Sequence, residues 1–243
     1  MARIAYDTTA AAAFEANRHL TDDAVAAWRP ALARHLAPRP GPRLLDLGAG
    51  TGRWARTLTT WYPGSHVVAV EPSPAMRDRC SHPDVRPGHA ADIPLPAADV
   101  DAAWLSTVIH HVPDLPAAAA ELRRVVRPGG PVLIRSVFAG RHHGITLFRH
   151  FPEAVRVVDT FPTVADVETA FAAHGFTTTA LEQVPQVTAA TLAAAATGLR
   201  RDAHTPLRLL TDDEYATGLA RLQRAAATDT GPVVDTFDLL VLR

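Results

Sequence analysis

Leu44-Leu45-Asp46-Leu47-Gly48-Ala49-Gly50-Thr51-Gly52 carries a strand into three glycines at alternate positions. The apolar run Arg43–Leu47 predicts a buried strand, and Arg53–Trp61 reads as a helix stopped by Pro63-Gly64. Glycine lets the backbone turn sharply and lets a ligand approach with no Cβ in the way. The helix that follows offers free N–H groups at its start. Strand, glycine loop and helix in that order open a βαβ unit on a parallel sheet.

Outward from this loop the alternation continues. Strands are predicted at His66–Val70, Val85–His89, Val100–Leu105, Pro131–Val137, Phe176–Val184 and Thr236–Leu242, which makes seven with the first. Helices are predicted at Asp7–Arg18, Asp22–Leu36, Pro74–Cys80, Pro116–Val126, Thr188–Leu199 and Thr211–Ala227. Another opens at the capping box Thr163 to Asp166 and ends at Gly175. No repeat or low-complexity linker interrupts the pattern. The expectation is one α/β domain over 1–243, with a helical lid in 1–40, a cofactor-binding core in 41–137, and a substrate-side insert and C-terminal strands in 138–243.

The 243 residues suffice for a real core, and a hydrophobic share of 47% with 20% charged residues describes a globular protein. A net charge of −1 supplies no field to gather nucleic acid or anionic membrane. Cys80 is the single cysteine, which excludes a disulfide framework and a multi-cysteine metal site. Every basic residue except the histidines is arginine, so no lysine is present for a Schiff base or a P-loop. Abundant alanine, arginine and proline fit a GC-rich bacterial genome. No apolar run is long enough to span a bilayer, and Ala10–Ala13 runs into Glu15 and Arg18 rather than into a signal-peptide core. The expected setting is cytoplasmic.

Two ligand classes use a strand–glycine–helix turn. A dinucleotide fingerprint needs a third glycine, but its position holds Arg53 counted from Gly48 and Ala55 counted from Gly50. A carboxylate at Asp46 would oppose a pyrophosphate and suit a ligand with ammonium and sulfonium groups. The plainer alternative is that Asp46 caps the loop.

The ordered set of segments resembles the class I S-adenosylmethionine-dependent methyltransferases, specifically the small-molecule type 11-like or type 25-like domain. Its residues are Asp46-x-Gly48-x-Gly50-x-Gly52, Glu71 after the second strand, Ala91-Asp92-Ile93-Pro94, Asp99 to Ser106, Ile109-His110-His111-Val112-Pro113-Asp114, and Glu121 to Gly130. The likeness covers about 43–137. It implies a Rossmann-like, seven-stranded, mostly parallel sheet with helices on both faces and an antiparallel last strand. It implies S-adenosylmethionine as cofactor, with S-adenosylhomocysteine as product. The implied cofactor contacts are Asp46, Gly48, Ala49, Gly50, Thr51, Gly52, Glu71 on the ribose, Pro72, Met76, Asp92 and Ile93 at the adenine, and Ser106. Met76 serves equally as core, and Asp92 as a turn former.

Methyl transfer from a sulfonium needs alignment, exclusion of water and, for some acceptors, a base. His110 and His111 lie past the fourth strand, where open α/β sheets bind ligands, and imidazole titrates near neutrality. His111 is the expected base, with a packing role against the cofactor as the alternative, and His110 is expected to turn elsewhere. Acceptor contacts are expected from Tyr6, Phe14, Arg18 and Trp28 in the lid, and from Arg141, His142 and Phe148 in a loop rich in cations and aromatics. That loop lacks a partner carboxylate or cysteine at ligand spacing, so no metal is expected. The absence of an Asn/Asp-Pro-Pro-Tyr segment and of further cysteines sets aside adenine and arsenic methylation. Ser106-Thr107-Val108-Ile109-His110 departs from the asparagine-containing segment of the quinone C-methyltransferases. What remains is a small-molecule acceptor of bacterial specialised metabolism, for a monomer or homodimer without nucleic acid or membrane. The rivals are a fold relative that catalyses a non-methylating cyclisation or rearrangement, and an inactive cofactor-binding subunit.

Overall fold

The computed structural model describes residues 22–36 and 39–243. Two short helices, α1 (Asp22–Ala26) and α2 (Trp28–Ala33), precede β1 (Arg43–Leu47) and α3 (Arg53–Trp61). Then come β2 (His66–Glu71), α4 (Pro74–Arg77), β3 (Val85–Pro87), β4 (Ala102–Ser106), α5 (Leu115–Val125) and β5 (Val132–Ser136). The insert after β5 holds α6 (Thr146–His150), α7 (Val155–Val158) and α8 (Val164–Ala172). The chain continues through β6 (Thr178–Ala189), α9 (Leu192–Gly198), α10 (Thr205–Arg208), α11 (Asp212–Ala226) and β7 (Val233–Leu242).

The seven strands form one sheet in the order β3-β2-β1-β4-β5-β7-β6. All pairs from β3 to β5 are parallel, and β7 runs antiparallel between β5 and β6. The expected Rossmann-like sheet with an antiparallel last strand is therefore present. Strand order reverses at β1, which places the glycine loop at the switch point where such sheets bind ligands.

Alternate side chains of β1, β2, β4, β5 and β7 enter two cores, so these strands are apolar on both faces. Leu45, Leu47, Val68, Val70, Leu105 and Ile134 pack with Leu122 and Val125 of α5 and Phe171 of α8. Leu44, Val67, Trp104 and Leu133 pack on the other face with Trp28 and Leu32 of α2 and Trp54 and Leu58 of α3. Trp54 and Trp104 meet edge to face at 4.9 Å, and Trp28 meets Trp104 at 5.8 Å. A third cluster closes the insert around Phe148, Phe151, Val158, Phe161 and Leu222.

Boundaries shift where tertiary pairing overrides local signals. The helix expected from Thr188 starts at Leu192, because β6 stays paired with β7 as far as Ala189. Thr191 then caps α9, its hydroxyl accepting from the Ala194 N–H. Both capping boxes form, Thr163 with Asp166 and Thr211 with Glu214. The helix expected at Asp7–Arg18 lies outside the described residues. Among the described residues no helix is long and apolar enough to cross a membrane.

Candidate active site

The glycine loop is held by β2. The N–H groups of Gly48 and Ala49 both donate to the Val70 carbonyl, at 2.8 and 3.1 Å. Gly48, Gly50 and Gly52 all have positive φ, which L side chains adopt at a cost. At Gly48 space also forbids a side chain, since a Cβ would stand 2.3 Å from Val108 Cγ2. The loop after β1 therefore presses directly on the loop after β4.

Glu71 ends β2 beside that loop. Its Oε2 accepts from the Gly50 N–H and its Oε1 from the Ser73 N–H, both at 2.9 Å. Arg77 holds the Glu71 and Pro72 carbonyls at 2.8 Å. Burial raises the Glu71 carboxyl above its ordinary range, while the Ser73 and Gly50 N–H groups and Arg77 pull it back. Met76, in α4, is buried.

Asp46 sits deeper. It is 1% exposed and faces α3. Burial pushes its carboxyl up to about 7, against a hydrogen bond from the Ala55 backbone and with the Glu71 charge adding to the rise. Oδ2 is buried without a hydrogen-bond partner. Ala55 is the third residue of α3, so the carboxylate receives an otherwise unpaired N–H of that helix.

A cavity of about 580 Å³ opens over the ends of β1, β2 and β4. Its wall includes Gly48, Gly50, Glu71, Met76, Ser106 and both histidines, His110 and His111. The histidines occupy a 3-10 turn, Ile109–His111, whose Ile109 is anchored in the core. Their rings lie 4.1 Å apart, and the His110 ring stacks on Phe161 of the insert at 4.2 Å and 10°. His110 therefore faces the same cavity as His111 instead of turning elsewhere. Phe161 is one of the side chains packed on it.

Of the residues named from sequence, Gly48, Gly50, Glu71, Pro72, Met76, Ser106, His110 and His111 meet at the cavity. Ala49, Thr51 and Gly52 belong to the loop but not to the cavity wall; a Cβ on Gly52 would stand 2.6 Å from Cys80 Sγ. Asp92 is exposed in a turn closed by its N–H on the His89 carbonyl, and that turn puts Ala90 and Ala91 on the wall. Ile93 is buried in the core, its N–H donating to Glu121.

The expected acceptor residues are elsewhere. Trp28 is fully buried on the sheet face and donates from Nε1 to Gln186, so it is core rather than lid. Arg141 is held by both oxygens of Asp238, at 2.7 and 2.8 Å. His142 packs edge-on against Phe148, which belongs to the third cluster. None of these three lines the cavity. Tyr6, Phe14 and Arg18 lie outside the described residues.

The structure adds Thr107 and Thr205 to the wall. Thr107 has φ of +54°, an uncommon conformation for a β-branched residue. Its N–H donates to the Arg135 carbonyl and its hydroxyl to the Ser106 carbonyl, both at 2.7 Å. Thr205 arrives from α10, almost a hundred residues away in sequence. No local signal marks either one.

The wall fits a nucleoside with a cationic tail. Glu71 offers a carboxylate to a pair of hydroxyls, Met76 and Ala91 offer apolar flanks, and the glycines leave backbone room. The buried, partnerless Oδ2 of Asp46 is a further acceptor beneath the loop.

Residues 45–134 match the family model described as a methyltransferase domain. The chain is 36% identical over 140 residues to malonyl-[acyl-carrier protein] O-methyltransferase of Serratia marcescens, covering 56% of this chain and 54% of that protein. It is 38% identical over 114 residues to demethylmenaquinone methyltransferase of Clavibacter sepedonicus, covering 44% of this chain and 46% of that one. The chain thus spans about half the length of these curated relatives. A crystal structure from Anabaena variabilis, assigned as a methyltransferase of an antibiotic biosynthesis pathway, superposes with a TM-score of 0.67 at 22% identity over 88% of this chain and 95% of that one. Residues 45–134 thus resemble a methyltransferase domain, and the curated relatives that share this likeness are methyltransferases.

Proposed function

We propose that the protein transfers a methyl group from S-adenosylmethionine to a small-molecule acceptor, with His111 as the acceptor's base or orienter. The observation that carries this is the facing arrangement of one cavity: Glu71 on its β2 side, His110 and His111 past β4, and the Gly48–Gly50 loop between them. Bound there, the cofactor would supply a methyl group already activated by the positive sulfur.

The chain's own part is to bind, orient and move a proton. Glu71 holds the ribose hydroxyls, the glycine loop and Ser106 flank the rest, and Met76 with Ala91 encloses the base. Fixing the reactants in line is worth roughly 7–11 kcal/mol of barrier, so no triad is required. A neutral imidazole at His111 accepts the acceptor's proton and adds perhaps 10²–10⁴-fold. Phe161 keeps His110 stacked, which fixes the turn that carries His111. Asp46 and the rest of the loop support the site from below.

The acceptor belongs, on this reading, to bacterial specialised metabolism, as the Anabaena protein's assignment and the GC-rich composition suggest. The setting is cytoplasmic, for a single domain over 1–243 working as monomer or homodimer. The test is a panel of hydroxylated and amine acceptors incubated with the cofactor. Products heavier by one methylene, with equal release of S-adenosylhomocysteine, are expected. Substrate conversion without cofactor consumption would replace this reading with a cyclisation or rearrangement. Cofactor binding with no conversion of any acceptor would point to a partner subunit.

A further inference from the structure

Arg135 is a buried guanidinium that the mechanism above does not use. It stands on β5 at 4% exposure, level with Ser106 on β4 in the strand register. Its Nη2 donates to Gln186 Oε1 at 2.8 Å, the same oxygen that accepts from Trp28 Nε1 at 3.0 Å. Its Cζ lies 3.9 Å from the centre of the Phe237 ring and 5.1 Å from that of Trp28. Burying a cation costs several kcal/mol, and aromatic faces offset part of that. These contacts fix where the guanidinium points.

It points at the cavity wall. Arg135 Nη1 donates to Ser106 Oγ at 3.3 Å. A hydroxyl that accepts from a cation must aim its own hydrogen elsewhere. Ser106 is a wall residue of the cavity, and the bond from Arg135 leaves its O–H to donate away from the guanidinium, with a positive charge directly behind it. The adjacent Thr107 hydroxyl has the opposite polarity, because its hydrogen is committed to the Ser106 carbonyl. The end of β4 therefore presents a polarised donor suited to an oxyanion.

Spacing identifies which one. β2 and β4 are the two neighbours of β1, so their ends lie roughly 10 Å apart. A ligand whose hydroxyls meet Glu71 on β2 must extend across β1 to reach Ser106. We propose that Ser106, polarised by Arg135, receives the carboxylate of the cofactor's amino-acid tail, and that Arg135 is the positioning residue for this contact. The inference rests on the cofactor reading given above.

The test compares two ligands by calorimetry. S-adenosylhomocysteine carries the carboxylate; 5′-methylthioadenosine shares the nucleoside and sulfur but lacks the amino-acid tail. In Arg135→Met and in Ser106→Ala, affinity for the first should fall at least about tenfold while affinity for the second holds within about twofold. Arg135→Lys should recover part of the loss. The double variant should be no worse than Arg135→Met alone, since one residue acts through the other. Parallel losses for both ligands, additive losses in the double variant, or no loss in Ser106→Ala would overturn the proposal. Ser106→Ala keeps Arg135 and its cage, so it tests the carboxylate contact even if Arg135→Met fails to fold, and Arg135→Lys then tests the positioning role. A wild-type protein that binds neither ligand would overturn the cofactor reading and this inference with it; tight wild-type binding with unchanged discrimination in the variants would overturn this inference and leave the cofactor reading standing.

Discussion

Val108 occupies the space a side chain at Gly48 would need. A Cβ built on Gly48 would lie 2.3 Å from Val108 Cγ2, and Gly48 also has φ of +73°. Two independent demands therefore meet at one residue, a left-handed backbone and a close approach between the loops after β1 and β4. Gly48→Ala should destabilise the protein by more than about 2 kcal/mol in urea unfolding. Adding Val108→Ala should recover the steric part of the loss and leave the backbone part. Full recovery would show that the conformation itself costs nothing.

Glu71 holds two backbone N–H groups and faces the cavity at the same time. Glu71→Ala should weaken cofactor binding by roughly 1.5–3 kcal/mol, the usual worth of a charged hydrogen bond. Glu71→Gln should lose less, because Oε1 can still accept from Ser73. Unchanged calorimetric affinity in Glu71→Ala would remove the carboxylate from the ribose site.

His111→Gln tests the base. Turnover should drop about 10²-fold or more with cofactor affinity nearly unchanged, and the pH–rate profile should lose a limb in the imidazole range. Phe161→Leu should give a smaller loss of the same kind, since it removes the ring stacked on His110. If His111→Gln instead abolishes cofactor binding, the imidazole is part of the pocket wall.

Asp46 makes stability depend on pH with a definite sign. Its carboxyl rises from 3.8 to about 7 on folding, so between these values the folded chain keeps a proton that the unfolded chain releases. The contribution favours folding at low pH and is lost as pH rises through that window. Asp46→Asn can still accept from the Ala55 N–H but carries no charge. Its melting temperature should exceed wild type by a few degrees at pH 8, with the gap closing near pH 4. A loss in Asp46→Asn that grows as pH rises would mean that charge on the cap outweighs its burial.

Much of the core was legible because local and tertiary signals agree there. β1 and α3 run as expected, from Arg43 to Leu47 and from Arg53 to Trp61, since glycines and Pro63-Gly64 bound them. The wall of the candidate site was legible where a residue ends a strand, as with Glu71 and Ser106. It was not where tertiary packing decides. Trp28 looks like a lid residue in sequence, but α2 lies on the sheet face against Trp54 and Trp104. Arg141 looks free to hold an anion until Asp238, 97 positions on, pairs with it. The helices between Thr146 and Val158 escaped notice because their apolar residues serve a third cluster closed by Leu207 and Leu222 from much later in the chain.

The placement of β7 has a kinetic side. It lies between β5 and β6 yet follows both in sequence, so neither can complete its hydrogen bonding until β7 has been made. Until then β5 is a bare apolar border, and β6, twelve residues long, has no strand to pair with. Pairings across such sequence distance form slowly, and open borders invite wrong partners. During synthesis the window for misassembly at the ribosome therefore stays open until Val233–Leu242 arrives to seal the sheet.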